Sequence, residues 1–324
     1  MRPIEETMTR ILRGHLFALS LFVIGLIFFF SGKSLLSSEG LTTLGFAGSF
    51  PVLTASSMFL TKLASFSLIV LIVLLMLLMN RFLNLVRTNS KLYVGRFVLM
   101  VAVCPGVSGM SLNALVMAFV VMFSLMMMYT TYQRKIPTRR IFLVFVLMSF
   151  GASMQWPYAA FFLAFFLCCG QMRCLSMRSL LAAIVGILTP PWILWGFGYI
   201  SLDSILMPKL LPPSAAVFAG FSPAALVAII TTLVAAVCIT GYNTIRIFGL
   251  NARTRAFNGV FATITLWTAL ISIIDFGHAL DYFPLLAALT AMQSTLFFRI
   301  CIENRSYIYI LAMMISYITA FSLI

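Results

Sequence analysis

An all-α fold, a polytopic bundle of transmembrane helices with about eleven crossings, is what this sequence predicts. Three features carry that expectation: apolar runs of spanning length recur along the chain, charge is scarce, and the charge present is basic and sits in short connections. Of 324 residues, 62% are hydrophobic and 9% charged, whereas water-soluble domains carry roughly 45–50% and about 25%. So little charge cannot cover a water-facing surface. The 31 Phe and 20 Met suit lipid contact and adaptable helix interfaces. A net charge of +14 is also the footprint of nucleic-acid binders. Its placement between apolar runs reads instead as an orientation signal and as contact with membrane lipids, with no nucleic acid.

A helix needs about 20 apolar residues to span the hydrocarbon. The first run, Leu16 to Phe30, follows Arg2, Arg10 and Arg13. A signal peptide begins this way, but Ser31-Gly32-Lys33-Ser34 lacks the small-residue cleavage pattern, so an uncleaved helix is expected over 14–32. Single crossings are expected over 63–80, 179–200, 222–242, 257–274, 283–299 and 306–324. Two uncharged stretches, 97–133 and 141–172, are too long for one crossing. The first contains Cys104-Pro105-Gly106-Val107-Ser108-Gly109, and the second Gly151-Ala152-Ser153-Met154-Gln155-Trp156-Pro157. Pro and Gly together end helices. Each stretch is therefore read as a short helical hairpin that turns back, which brings the count to eleven.

The charges support that count independently. With the N-terminus in the cytoplasm, segments 1–13, 81–96, 134–140, 173–178, 243–256 and 299–305 hold eighteen of the 21 Lys and Arg, and only Lys33, Lys62 and Lys209 fall outside. Cytoplasmic loops carry such an excess. If either hairpin crossed once, every later connection would change side and the bias would collapse. Residues 1–324 thus read as a single integral membrane domain with the C-terminus at the outer side.

The first arms of the hairpins, 97–109 and 141–155, reach roughly 20–23 Å at about 1.5 Å per residue, short of a hydrocarbon core of about 30 Å. Their tips should stop below the outer surface, where irregular backbone is either packed in protein or lines a wet cavity. Two readings stand: a polar depression open to the outside, with Ser108, Asn113, Gln155, Trp156 and Tyr158 as binding candidates, or tips capped by their neighbours. The outer connections 33–62 and 201–221 read as loops with short interfacial helices.

Catalytic candidates are the outer acids and one histidine: Glu39, Asp203, Asp275, His278 and Asp281. The spacing Asp275-x-x-His278-x-x-Asp281 places three of them on one face of a helical turn. A carboxylate beside an imidazole raises its basicity and orients its ring, as proton transfer requires. The plainer reading is a polar interhelix turn closed by Pro284. Cys104, Cys168, Cys169, Cys174, Cys238 and Cys301 show no C-x-x-C spacing and no nearby His, so structural thiols are expected, with no metal site, disulfide or cofactor. Thr189-Pro190-Pro191-Trp192 interrupts 179–200, either opening backbone carbonyls onto a substrate path or making a kink that neighbours repair. No apolar segment carries a charge at its centre, which counts against ion-driven transport. No nucleotide-binding loop is present.

The stretch Arg87 to Arg96, the string Gln155-Trp156-Pro157-Tyr158, the loop Arg173 to Arg178 and the string Gly186-Ile187-Leu188-Thr189-Pro190-Pro191-Trp192 carry a resemblance over roughly residues 80–200. They resemble an uncharacterised family of multi-pass inner-membrane proteins of Bacteroidota, with a looser echo at Asp275 to Pro284. The resemblance implies the cell inner membrane and no particular chemistry. The layout is also similar to multi-pass polyprenyl-linked sugar transferases. Glu39 alone stands where those enzymes carry an acidic pair in the first outer loop. Three functional readings follow. The first is a non-enzymatic membrane subunit of an envelope assembly, favoured by small loops and scarce chemistry. The others are an enzyme acting on a lipid-linked substrate at the outer face, and a transporter. Membrane lipids and other membrane proteins are the expected partners.

Overall fold

The structure, a computed structural model, describes residues 15–31, 42–45, 48–51, 58–83, 90–104, 112–134, 137–199, 210–249, 251–300 and 306–322. The apolar segments fold as helices: α1 (His15–Ser31), α2 (Met58–Leu83), α3 (Ser90–Val103), α4 (Leu112–Tyr129), α5 (Thr138–Met154), α6 (Pro157–Gln171) and α7 (Met177–Gly196). A short α8 (Ala215–Ala219) precedes α9 (Pro223–Arg246), α10 (Ala252–Ile274), α11 (Ala279–Ile300) and α12 (Ser306–Ser322). Among the described residues, eleven of these helices have 14 residues or more, and they follow in order the eleven segments read from the sequence. Five, at Phe59–Phe82, Leu112–Tyr129, Met177–Gly196, Pro223–Arg246 and Ala252–Ile274, are long and apolar enough to cross a membrane.

The connection 33–62 departs from expectation. Strands β1 (Thr42–Gly45) and β2 (Gly48–Pro51) pair antiparallel, with Thr43 opposite Phe50, and pack against α5. Threonine and phenylalanine favour extended backbone, and glycines flank the two-residue connection. In the other long connection, α8 is the short helix expected there.

Helix α11 is the hub: residues 282–297 are all buried, against α3, α4, α9 and α10. The peripheral helices turn apolar faces outward. Leu16, Leu63, Leu74, Leu188 and Val234 are each at least 50% exposed, a surface suited to lipid rather than water. Helix α7 packs along α5 and finishes in exposed Trp192, Trp195, Phe197 and Tyr199, side chains that favour a membrane–water boundary.

Two close helix pairs set the geometry. On the α1–α3 pair, a Cβ on Gly95 would lie 2.7 Å from the Ala18 carbonyl oxygen, and one on Gly25 would lie 3.0 Å from the Leu99 nitrogen. On the α5–α7 pair, a Cβ on Gly186 would lie 2.8 Å from the Phe142 carbonyl oxygen. Small residues at such crossings let helix backbones approach.

The α5–α7 pair also resolves the double proline. Helix α7 runs through Pro190 and Pro191 without ending. Pro191 has no N–H to offer the Ile187 carbonyl one turn earlier, and the Ser149 hydroxyl of α5 donates to that oxygen at 2.6 Å. The carbonyl is repaired by a neighbour and does not line a path. Ser149→Ala is expected to orphan it and cost about 1–3 kcal/mol, readable as a lower thermal midpoint in detergent. An unchanged midpoint would mean that the bond contributes nothing.

Two further expectations are corrected. The arms of the 97–133 hairpin do not pack along each other: α3 lies on α1, α11 and α12, whereas α4 lies on α11, α2 and α5. The arms of the 141–172 hairpin, α5 and α6, do pack together. In addition, α3 begins at Ser90, not Phe97, so Arg96 lies at mid-helix and not in a loop. It is 6% exposed, and its Nη1 donates to Ser294 Oγ of α11 at 2.6 Å. The bundle interior therefore does hold a charged residue. Beside it, on α9, Asn243 Nδ2 donates to the backbone oxygen of Gln293 at 2.9 Å and to its Oε1 at 2.8 Å.

Candidate functional site

The sequence candidates converge in part at the turn between α10 and α11. Helix α10 ends at Ile274, Asp275 caps it, and one 3₁₀ turn (Phe276–His278) leads into α11. That turn sets Asp275 and His278 three residues apart on one face. Asp275 Oδ1 lies 2.8 Å from His278 Nδ1 and accepts the Leu211 N–H at 3.1 Å. Its Oδ2 accepts the Tyr282 hydroxyl at 3.2 Å. The Gly277 N–H donates back to the Leu211 carbonyl at 3.0 Å. A Cβ on Gly277 would stand 2.6 Å from the Leu211 Cβ, so the 210–214 segment is strapped tightly to the turn. Phe276 seals the strap from below, against Phe218 and Phe221.

The second hairpin tip reaches the same place. Gln155 and Ser153 are buried, with Ser153 Oγ donating to the Ser149 carbonyl at 3.0 Å. Trp156 is half-buried and precedes Pro157 at the first position of α6. The Tyr158 ring covers Gly151, where a Cβ would not fit, and its phenol lies within electrostatic reach of Asp281. Indole Nε1 of Trp267 on α10 donates to the Ala160 carbonyl at 2.9 Å, holding α6 against α10. The tip is thus packed around buried polar groups. Asn113 is buried on α4. Glu39, Ser108 and Asp203 lie outside the described residues. Tyr282 and the Leu211 N–H are partners that the sequence reading missed; a tyrosine seven residues after an acid, two helical turns on, is the signal that was available for the first.

Asp275 is buried and His278 is about half exposed, with side chains 7% and 45% accessible. Burial alone would raise the Asp275 pKa. The hydrogen bond and charge of His278, with donors from Leu211 and Tyr282, outweigh it and hold the pKa below the usual carboxylate value. The hydrogen bond to Asp275 raises the His278 pKa, opposed by burial and aided by the charges of Asp275 and Asp281. The pair therefore contributes its full stability above about pH 3.9 and below about pH 6.5, the ordinary values. The contribution fades as pH falls through the lowered Asp275 value, or rises through the raised His278 value. A thermal midpoint that declines above neutral pH, with His278→Gln flattening that slope, is the expected result. An unchanged slope in the variant would exclude the pair as its source.

Among the described residues, no three His, Cys, Asp or Glu come together as a metal site. No family model, curated protein or solved structure matches this chain.

Proposed function

We propose that this chain is a multi-pass protein of the cell inner membrane, crossing eleven times with its N-terminus in the cytoplasm, and that it serves as a non-enzymatic membrane subunit of an envelope assembly. One observation carries the functional half. The best catalytic carboxylate, Asp275, is occupied: Oδ1 meets His278 and Leu211, and Oδ2 meets Tyr282. A general base needs a lone pair facing its substrate; this one ties an outer segment to a helix turn. The basic bias of alternate connections supports the orientation, and the resemblance to the Bacteroidota family supports the inner membrane. Membrane lipids and other membrane proteins are the partners this reading implies.

A second reading, an enzyme on a lipid-linked substrate at the outer face, draws on the half-exposed His278 beside Asp275, with Asp281 and Tyr158 within reach of each other. Transport draws on buried Arg96, but the cavity of about 20 Å³ beside it, lined by Leu99, Met100 and Tyr317, has room for one water.

Complementation with protein levels measured in parallel separates the first two readings. Under the proposed role, Asp275→Asn loses protein and activity together, at a stability cost of about 1–3 kcal/mol, and His278→Gln retains activity. If both variants accumulate normally while activity falls by roughly 10²–10⁴, the enzyme reading replaces it. Orientation is tested by cysteine labelling: Arg87, Lys135, Met177 and Asn251 are expected inside, and Glu39, Asp203 and His278 outside. Finding 243–256 outside refutes eleven crossings.

A further inference from the structure

Helix α6 closes with a turn that brings two cysteines together at the end of the bundle opposite the Asp275 cluster. Met172 is the last right-handed residue, and Arg173 takes φ +53°. The Arg173 N–H then donates to the Gly170 carbonyl at 3.0 Å, and the Cys174 N–H to the Cys169 carbonyl at 3.2 Å. This is a Schellman turn, which sets the side chain two residues past the cap against the one three residues before it. Those positions usually hold a hydrophobic contact; here they are Cys174 and Cys169, 4% and 3% exposed. The two thiols interact electrostatically across that contact. Cys174 Sγ lies 3.3 Å from the Cys169 carbonyl oxygen and 3.6 Å from the Thr131 hydroxyl of the turn after α4.

Cys174 also lines an open cleft of about 330 Å³ with Gln133, Arg134, Arg173, Leu175 and Ser176. The interaction with Cys169 first, then that with the Thr131 hydroxyl, outweigh burial and hold the Cys174 pKa below the ordinary thiol value. Among the described residues, the non-glycine positions with left-handed backbone are Gln133 and Arg173, and both border this cleft. Such backbone gathers at functional sites. Sequence spacing alone hides the pair, because a C-x₄-C string has meaning only once α6 is known to end at that turn.

We propose that Cys174 and Cys169 form an oxidant-responsive dithiol whose oxidant is a hydroperoxide admitted through the Arg134–Arg173 cleft. The Cys174 thiolate attacks the nearer peroxide oxygen. The O–O bond breaks, hydroxide or alkoxide leaves and takes up a proton, and a sulfenic acid forms. The Cys169 sulfur then attacks the sulfenic sulfur, the S–O bond breaks, and the hydroxyl leaves as water with the Cys169 proton. Two thiols are oxidised to one disulfide, and with hydrogen peroxide two waters are produced. Transient disulfides of this kind are the form that reducing compartments permit.

The test treats the full-length protein in its membrane with hydrogen peroxide, denatures it in SDS, and counts maleimide-reactive thiols. Two of the six cysteines are expected to be lost and to return after dithiothreitol. Trypsin cuts after Arg140, Arg173 and Arg178, so fragments 141–173 and 174–178 should travel as one disulfide-linked species that reduction separates. Cys168→Ser is expected to keep that species. Cys169→Ser is expected to stop at a dimedone-reactive sulfenic acid on Cys174. Six reactive thiols after peroxide in the wild-type protein overturn the proposal, as does a linked species that disappears in Cys168→Ser and persists in Cys169→Ser.

Discussion

Gly95→Leu is expected to remove folded protein almost completely. Even a Cβ at this position would sit 2.7 Å from the Ala18 carbonyl oxygen and 3.1 Å from the Leu21 Cβ. The nearest atom belongs to a backbone and cannot rotate aside. Forcing one methyl into a packed interface costs about 1–3 kcal/mol, and an isobutyl group adds to that, against a total stability of about 5–15 kcal/mol. Helices α1 and α3 would have to separate, and α3 also buries Arg96 against α11. Gly241→Ala on α9 is the control, because a Cβ there meets nothing within 4 Å; it should hold or raise stability by up to about 1 kcal/mol, since alanine favours helix. Protein level and thermal midpoint in detergent give both answers. A Gly95→Leu protein that melts with the wild type would show that α1 and α3 do not meet closely.

The second large effect is expected at the α9–α11 contact. Asn243→Leu removes the donor to both the backbone oxygen and Oε1 of Gln293 and leaves a buried amide facing leucine. The expected loss is about 1–3 kcal/mol. Adding Gln293→Met should recover much of it, because replacing both partners by apolar groups of similar shape approaches neutrality. The informative quantity is the coupling in the double-mutant cycle. Additive losses would mean that the two side chains do not interact.

Much of this architecture is legible in the sequence, because membrane-length apolar runs leave few alternatives to helix. One helix ends at Met154 and the next opens at Pro157, as the Pro-Gly rule anticipates, and α3 ends at Val103, just before the Cys104–Gly109 string. The failures share a cause, which is burial by distant segments. The uncharged stretch starts at Phe97 because Arg96 bounds it, yet Gly95 against α1 and Ser294 against Arg96 draw the preceding residues into the bundle. A count of loop arginines cannot see a partner 198 residues away. The paired prolines of α7 look like a break until Ser149, 38 residues earlier, is found on the Ile187 carbonyl. At the Asp275 cluster the acid–imidazole spacing is readable in the sequence, whereas the Leu211 strap that turns the carboxylate into a tie comes from another connection.

The central position of α11 has a consequence for how the protein is made. The segment that α3, α4, α9 and α10 pack around lies after residue 278, so it leaves the ribosome when most of the chain has been made. Its Asp281, Thr290, Gln293, Ser294 and Thr295 make it a poor candidate to partition into lipid alone. Ser294, the partner of Arg96, and Gln293, the partner of Asn243, both arrive with this segment. Nascent chains stopped before residue 300 are therefore expected to be protease-sensitive and dependent on membrane chaperones, and completion of one late helix becomes the step that commits the whole bundle.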